Sequence, residues 1–149
     1  MNDIITPTMA LSLTVKDAAE ALAFYTKAFG AEELFRLADP SGAIAHAEFR
    51  IGNSHIYISG ESAEWSAAAN PEGSMASCLF SLTVDNCDNA FEKAVQAGAK
   101  KITEPVDQFW GMRTGVVLDP YGYRWNLRHV VEEVSNEEMA KRAQALFGA

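Results

Sequence analysis

The chain repeats itself. Residues 11–15 read LSLTV and residues 80–84 read FSLTV, identical at four of five positions and offset by 69 residues. The likeness then continues in type: VKDAAEALAFYTKAFGA (15–31) is answered by VDNCDNAFEKAVQAGA (84–99), one residue shorter. Each copy runs from an alternating strand through an Asx residue and a helical pattern to Gly-Ala. That shared order at one offset points to an internal duplication. One such module is too small to bury much core alone, so the expected product is two modules fused into a single domain over 1–149.

Local signals agree with the shared order. Asp17 with Glu20 fits a helix N-cap, because a carboxylate accepts the free N–H groups of the first turn. Leu22, Tyr25 and Phe29 follow at helical spacing, and Gly30 supplies the terminating residue. In the second copy Asn86 caps, Phe91, Ala94 and Val95 form the stripe, and Gly98 ends it. Three strand-like runs follow each helix: 32–38, 43–51 and 55–59, then 100–106, 113–118 and 123–130. Pro40-Ser41-Gly42, Gly52-Asn53 and Asp119-Pro120-Tyr121-Gly122 read as turns. The fold class is therefore α+β, two βαβββ modules in tandem: module one over 8–60, a linker rich in small residues over 60–77, and module two over 78–130. Ser135 and Glu138 open a C-terminal helix over 135–147 with Met139, Ala143 and Leu146 as its stripe. That helix is expected to pack on the body or on a second subunit.

Charge narrows the partners. Lys+Arg 12 against Asp+Glu 20 gives a net −8, which argues against nucleic acid and against anionic membrane surfaces. No run approaches the ~18 apolar residues of a membrane-spanning helix, and the first residues lack the basic start of a signal peptide. Cys78 and Cys87 form neither a disulfide framework nor a CxxC pair, so a reducing cytoplasm is the expected location.

Strand parity sorts the side chains. Leu11, Leu13 and Val15 face the first helix, as do Ala43, Ala45, Ala47, Phe49 and Ile51, and Ile56 and Ile58. The opposite face shows Ser12 and Thr14, then Ile44, His46, Glu48 and Arg50, then His55, Tyr57 and Ser59. In module two Phe80, Leu82 and Val84, and Tyr123, Trp125 and Leu127, face the helix. Leu79, Ser81 and Thr83, and Arg124, Asn126 and Arg128, lie opposite. Each sheet thus has one apolar and one mixed face, and the mixed faces could curl into a shared ligand cup.

AFYTKAFGAEELFRL (23–37), HAEFRIGNSHIYIS (46–59) and DQFWGMRTGVVLDPYGYRWNL (107–127) resemble the vicinal oxygen chelate superfamily of glyoxalase I, bleomycin-resistance proteins and extradiol dioxygenases. The FWGxR and DPxGxxW segments are most similar to its branch of PhnB-like proteins. The resemblance covers roughly 8–130. It implies paired βαβββ modules around a cavity, often completed in a homodimer. In metal-dependent members the ligands stand on the first and last strand of each module. The matching residues here are Ala10 and Tyr57, then Leu79 and Asn126. Ala and Leu cannot coordinate, and Asn and Tyr are poor ligands beside His and carboxylate. The expectation is no metal and no other cofactor.

Several side chains remain as candidates. His46 and Glu48 share a face about 7 Å apart. They read either as a hydrogen-bonded wall pair, as a tentative catalytic base with its carboxylate, or as a metal site recruiting His55. Phe109 and Trp110 offer apolar walls, and Arg113 offers a fork for an anion. Alternatively Arg113 pairs with Asp107 or Asp119 while Trp110 fills the core. Trp65 reads as a lid or an anchor. The ligand-binding set is Tyr57, His55, Phe109, Trp110, Arg113, Arg124 and Asn126. Two function classes follow. One is a protein that binds or sequesters a small aromatic or cationic compound without a metal. The other is a lyase, isomerase or dioxygenase of the same superfamily, metal-dependent or metal-free.

Overall fold

A computed structural model describes residues 7–148, and the chain divides into two compact units, the first ending at Ser74 and the second beginning at Met75. The division falls inside the linker expected over 60–77.

The first unit is β1 (Leu11–Thr14), α1 (Ala18–Phe29), β2 (Glu32–Ala38), β3 (Ile44–Ile51) and β4 (Ser54–Ser59), with its sheet in the order β1-β4-β3-β2. The second is β5 (Leu79–Thr83), α2 (Cys87–Ala97), β6 (Lys100–Asp107), β7 (Met112–Leu118) and β8 (Arg124–Val130), in the order β5-β8-β7-β6, followed by α3 (Asn136–Phe147). The first strand of each sheet runs parallel to the last, and the other pairs are antiparallel. Two copies of one pattern have folded into two copies of one sheet. Register makes the correspondence residue-specific: Ser12 lies opposite Tyr57 in the first sheet, and Ser81 opposite Asn126 in the second.

The helix ends form as their sequence dictates. The Asp17 carboxylate accepts the Glu20 N–H at 3.0 Å, and Asn86 accepts the Asn89 N–H at 2.9 Å. Gly30 closes α1 in the left-handed region at φ 68°. Helices α1 and α2 each lay an apolar face on their own sheet. Tyr25 stacks on Phe49 with ring centroids 5.5 Å apart, among buried Leu13, Leu22 and Ile58. In the second unit Phe91 and Ala94 are buried with Val117, Trp125 and Leu127.

One parity expectation fails at the start of β3. Ile44 is buried, whereas Ala43 and Ala45 are exposed. Between Leu37 and Ala38 the register advances by one residue on β2 but from His46 to Ile44 on β3. Ala45 is the extra residue of a bulge, and a bulge breaks the alternation that holds from Ala47 onward.

Two turns share one chemistry. Asp39-Pro40-Ser41-Gly42 and Asp119-Pro120-Tyr121-Gly122 both use the aspartate to accept N–H groups two and four residues ahead. The Asp119 carboxylate is buried and also accepts the Trp125 indole N–H at 2.9 Å. Asp119 therefore organises the turn and does not pair with Arg113. The loop before β7 needs Gly111 at φ 88°, where a Cβ would lie 2.1 Å from the Glu132 carbonyl oxygen.

Helix α3 starts at Ser135, whose hydroxyl accepts the Glu138 N–H, and none of its residues is buried. It is tied to its own unit by Arg142, which donates to both Glu132 carboxylate oxygens and to the Phe109 carbonyl, and by an edge contact of Phe147 with Phe109. Leu146 of the expected stripe is 63% exposed. Among the described residues no helix is long and apolar enough to cross a membrane.

Candidate functional site

The β3–β4 hairpin brings four of the sequence candidates together. Glu48 lies opposite Tyr57 and Arg50 opposite His55, so His46, Glu48, His55 and Tyr57 share the face turned away from α1. The Glu48 carboxylate takes one imidazole on each oxygen: His46 Nε2 at 3.3 Å and His55 Nε2 at 3.0 Å. The Tyr57 ring stands beside both imidazoles, with centroids 5.6 Å from His46 and 5.2 Å from His55. Burial pushes the Glu48 carboxyl up, but the hydrogen bonds from the two imidazoles prevail and hold it below the ordinary carboxylate range. A carboxylate that fixes two imidazoles orients both for proton transfer or for ligand contact.

A cleft of about 1280 Å³ opens beside this cluster, with His46 on its wall. The start of α1, the β2–β3 turn and the segment after β4 enclose it. Leu37, Ile44 and Trp65 supply its apolar surface, and Asp17, Asp39 and Glu61 outnumber Lys16 among its charges. Each carboxylate spends one oxygen on backbone N–H groups: Asp17 on Glu20, Asp39 on Ser41 and Ala43, and Glu61 on Ala69. Trp65 is 78% exposed on a turn closed by the Ser62–Ala67 pair. So exposed an indole anchors nothing; it stands at the cleft as a wall or cover. Sequence reasoning missed this cleft because its lining comes from three separate segments.

In the second unit Arg124, Asn126 and Arg128 share the face opposite α2. Asn126 donates to the Ser81 hydroxyl at 3.4 Å, and Arg124 donates to the Ser77 carbonyl at 3.2 Å. Arg113 is elsewhere. It lies opposite His129 in the register, on the α2 side of the sheet. It grips Asp88 through two hydrogen bonds of 2.7 and 2.8 Å and Asp107 through one of 2.9 Å. These carboxylates hold the Arg113 guanidinium firmly charged, and Arg113 in turn draws the Asp88 carboxyl down. Of the two partners expected for Arg113, Asp107 is present and Asp119 is not, and the fork is filled by the protein itself. Phe109 and Trp110 meet edge to face at 4.9 Å in the loop before β7, where Phe109 contacts α3. Trp110 is 36% exposed and does not fill the core. Sequence reasoning also missed His129, whose Nδ1 accepts the Cys87 N–H at 2.8 Å in the first turn of α2.

The positions that resemble metal-ligand places hold Ala10, Tyr57, Leu79 and Asn126. Among the described residues no group of three or more His, Cys, Asp or Glu is placed to hold a metal ion. In the His46–Glu48–His55 cluster the donors satisfy one another.

Comparison with known proteins agrees with this architecture. An uncharacterized protein of Mycobacterium bovis is 36% identical over 138 residues, covering 91% of this chain and 91% of the relative. Relatives in Mycobacterium tuberculosis are also 36% identical, over 91% of this chain and 81% of their own length. Among solved structures, TioX from Micromonospora sp. ML1 superposes with a TM-score of 0.67 at 22% identity, covering 84% of this chain and 99% of that one. The fosfomycin resistance protein FosX from Listeria monocytogenes gives 0.62 at 19% identity, covering 91% and 99%. These two likenesses are of fold. Residues 5–127 match a family profile spanning both modules, and the chain belongs to the Glyoxalase/Bleomycin resistance protein/Dioxygenase superfamily.

Proposed function

We propose that this chain is a small-molecule-binding member of its superfamily, taking an aromatic or cationic compound into the cleft of the first unit without a divalent metal. The observation that carries this reading is the cleft lining. Three carboxylates stand against one lysine beside an exposed indole, and an organic cation is attracted both by carboxylate oxygens and by the face of an indole ring. The volume is ample for a drug-sized compound. The absence of metal from this reading rests on donor chemistry: Ala10 and Leu79 offer no lone pair, and Tyr57 and Asn126 are poor ligands. The FWGxR and DPxGxxW segments support placement in the PhnB-like branch. Two free cysteines support a reducing, cytoplasmic location.

Titration with a planar aromatic cation, N-methylacridinium, followed by tryptophan quenching, tests the reading. Saturable binding is expected, weakened at least tenfold by Trp65→Ala and clearly by Glu61→Gln. Equal affinity for neutral acridine, or affinity unchanged in both variants, would overturn it.

One observation favours a second reading, a metal-free isomerase or lyase: the His46–Glu48–His55 chain of hydrogen bonds is built to hold and pass a proton. Turnover of the methylglyoxal–glutathione adduct, lost in His46→Ala, would establish it. The same assay with added nickel or zinc separates a metal-dependent enzyme from both readings.

A further inference from the structure

The cleft of the first unit opens at a place that the second unit fills. At the offset of 69 residues Asp88, Asp107, Arg113 and His129 correspond to Ala19, Ala38, Ile44 and Gly60. The ladders agree: Asp107 lies opposite Arg113 as Ala38 lies opposite Ile44, and His129 and Gly60 each follow the residue paired with Thr83 or Thr14. In the second unit these side chains tie the start of α2 to β6, β7 and β8. Arg113 grips Asp88 and Asp107, and the His129 Nδ1 accepts the Cys87 N–H at 2.8 Å. In the first unit the guanidinium, both carboxylates and the imidazole are gone, and Ala19, Ile44 and Gly60 line the cleft instead.

The backbone does not require glycine at position 60. Its φ lies outside the left-handed region, and a Cβ there would meet the Ile44 carbonyl oxygen at 3.6 Å, an ordinary contact. The missing ring is therefore a property of the cleft and not of the chain path. Ala18 stands first in α1 as Cys87 stands first in α2, and both residues are buried. The N–H at such a position has no carbonyl within its own helix to receive it. Cys87 has the His129 imidazole for this purpose, whereas Ala18 has Gly60, which offers no side-chain acceptor.

Resting on the reading of the cleft as a small-molecule site, we propose that the place vacated at Gly60 receives an azole ring of the ligand, whose unprotonated nitrogen accepts the Ala18 N–H as His129 Nδ1 accepts that of Cys87. The second unit carries the imidazole of its own chain where the first takes one from outside. The ligand class is then a compound with an imidazole-type ring at one end and a positive charge at the other. The charge meets the cleft carboxylates, and the ring reaches the start of α1. A pyrrole ring has the same shape but no acceptor nitrogen, so it would leave the Ala18 N–H unanswered.

Amide NMR titration of the whole chain with 1-(2-aminoethyl)imidazole and with 1-(2-aminoethyl)pyrrole provides the test. Both probes carry one ammonium and differ in a single ring nitrogen. At about pH 8 that nitrogen is unprotonated, since a free imidazole titrates near 6.5. The imidazole probe is expected to bind at least tenfold more tightly and to shift the Ala18 amide at saturation. Gly60→His should erase the preference, because it supplies the ring internally, and Gly60→Ala should retain it. Equal affinity for the two probes, a preference that survives Gly60→His, or an Ala18 amide unmoved at saturation overturns the proposal. If N-methylacridinium binds as expected above and neither amine does, the azole is refuted and the cleft reading stands. If none of the three binds, both fall. Should Gly60→His not fold, the affinity ratio and the Ala18 amide decide alone.

Discussion

Glu48 holds two imidazoles at once, and that arrangement has a defined pH signature. Its carboxyl lies below the ordinary range in the folded chain. Its contribution to stability is therefore complete above its unfolded value, about 4.3, and is lost as pH falls through the lower folded value. Urea midpoints measured from pH 3 to 7 should show a steeper acid limb for the wild type than for Glu48→Gln. Coincident acid limbs would mean that the imidazoles do not favour the charged carboxylate. His46, Glu48, His55 and Tyr57 could be placed together from sequence because strand parity is local. The partner of Arg113 could not. Asp88 lies on α2, and only the packing of that helix against β7 brings its carboxylate to 2.7 Å.

At the scale of elements, the caps and turns were legible because each is settled within a few residues. Asp17, Asn86 and Ser135 cap the helices they were expected to cap. What escaped was whatever depends on a neighbour far along the chain: the Ala45 bulge, the cleft, and His129 at the start of α2. The turn at Asp119 shows how one short pattern takes two weights. Asp119→Ala would leave the Trp125 indole and two backbone N–H groups without their acceptor in a buried site, a loss of about 3 kcal/mol or more. Asp39→Ala, in the exposed counterpart, should lower stability far less. Chemical denaturation of the two variants side by side checks the contrast, and equal losses would show that burial does not set the weight of the turn.

Over the whole molecule, apolar surface remains on the edge strand β2, where Leu34, Phe35 and Leu37 are 45%, 51% and 54% exposed. Exposed apolar groups at a sheet edge favour association. A homodimer is the expected state, with light scattering giving twice the 16.2 kDa of the chain; a mass that stays at the monomer value on concentration would refute it. The duplication read from LSLTV and FSLTV also bears on how the chain reaches its fold. Among the described residues every ladder closes within its own module, the longest reaching from Leu11 to Ile56 in one and from Leu79 to Arg124 in the other. Pairing therefore demands loop closures of a half-length chain, which are shorter and faster than those a single eight-stranded sheet would impose. On the ribosome, the first sheet has all of its strands before the last strand of the second has been synthesised.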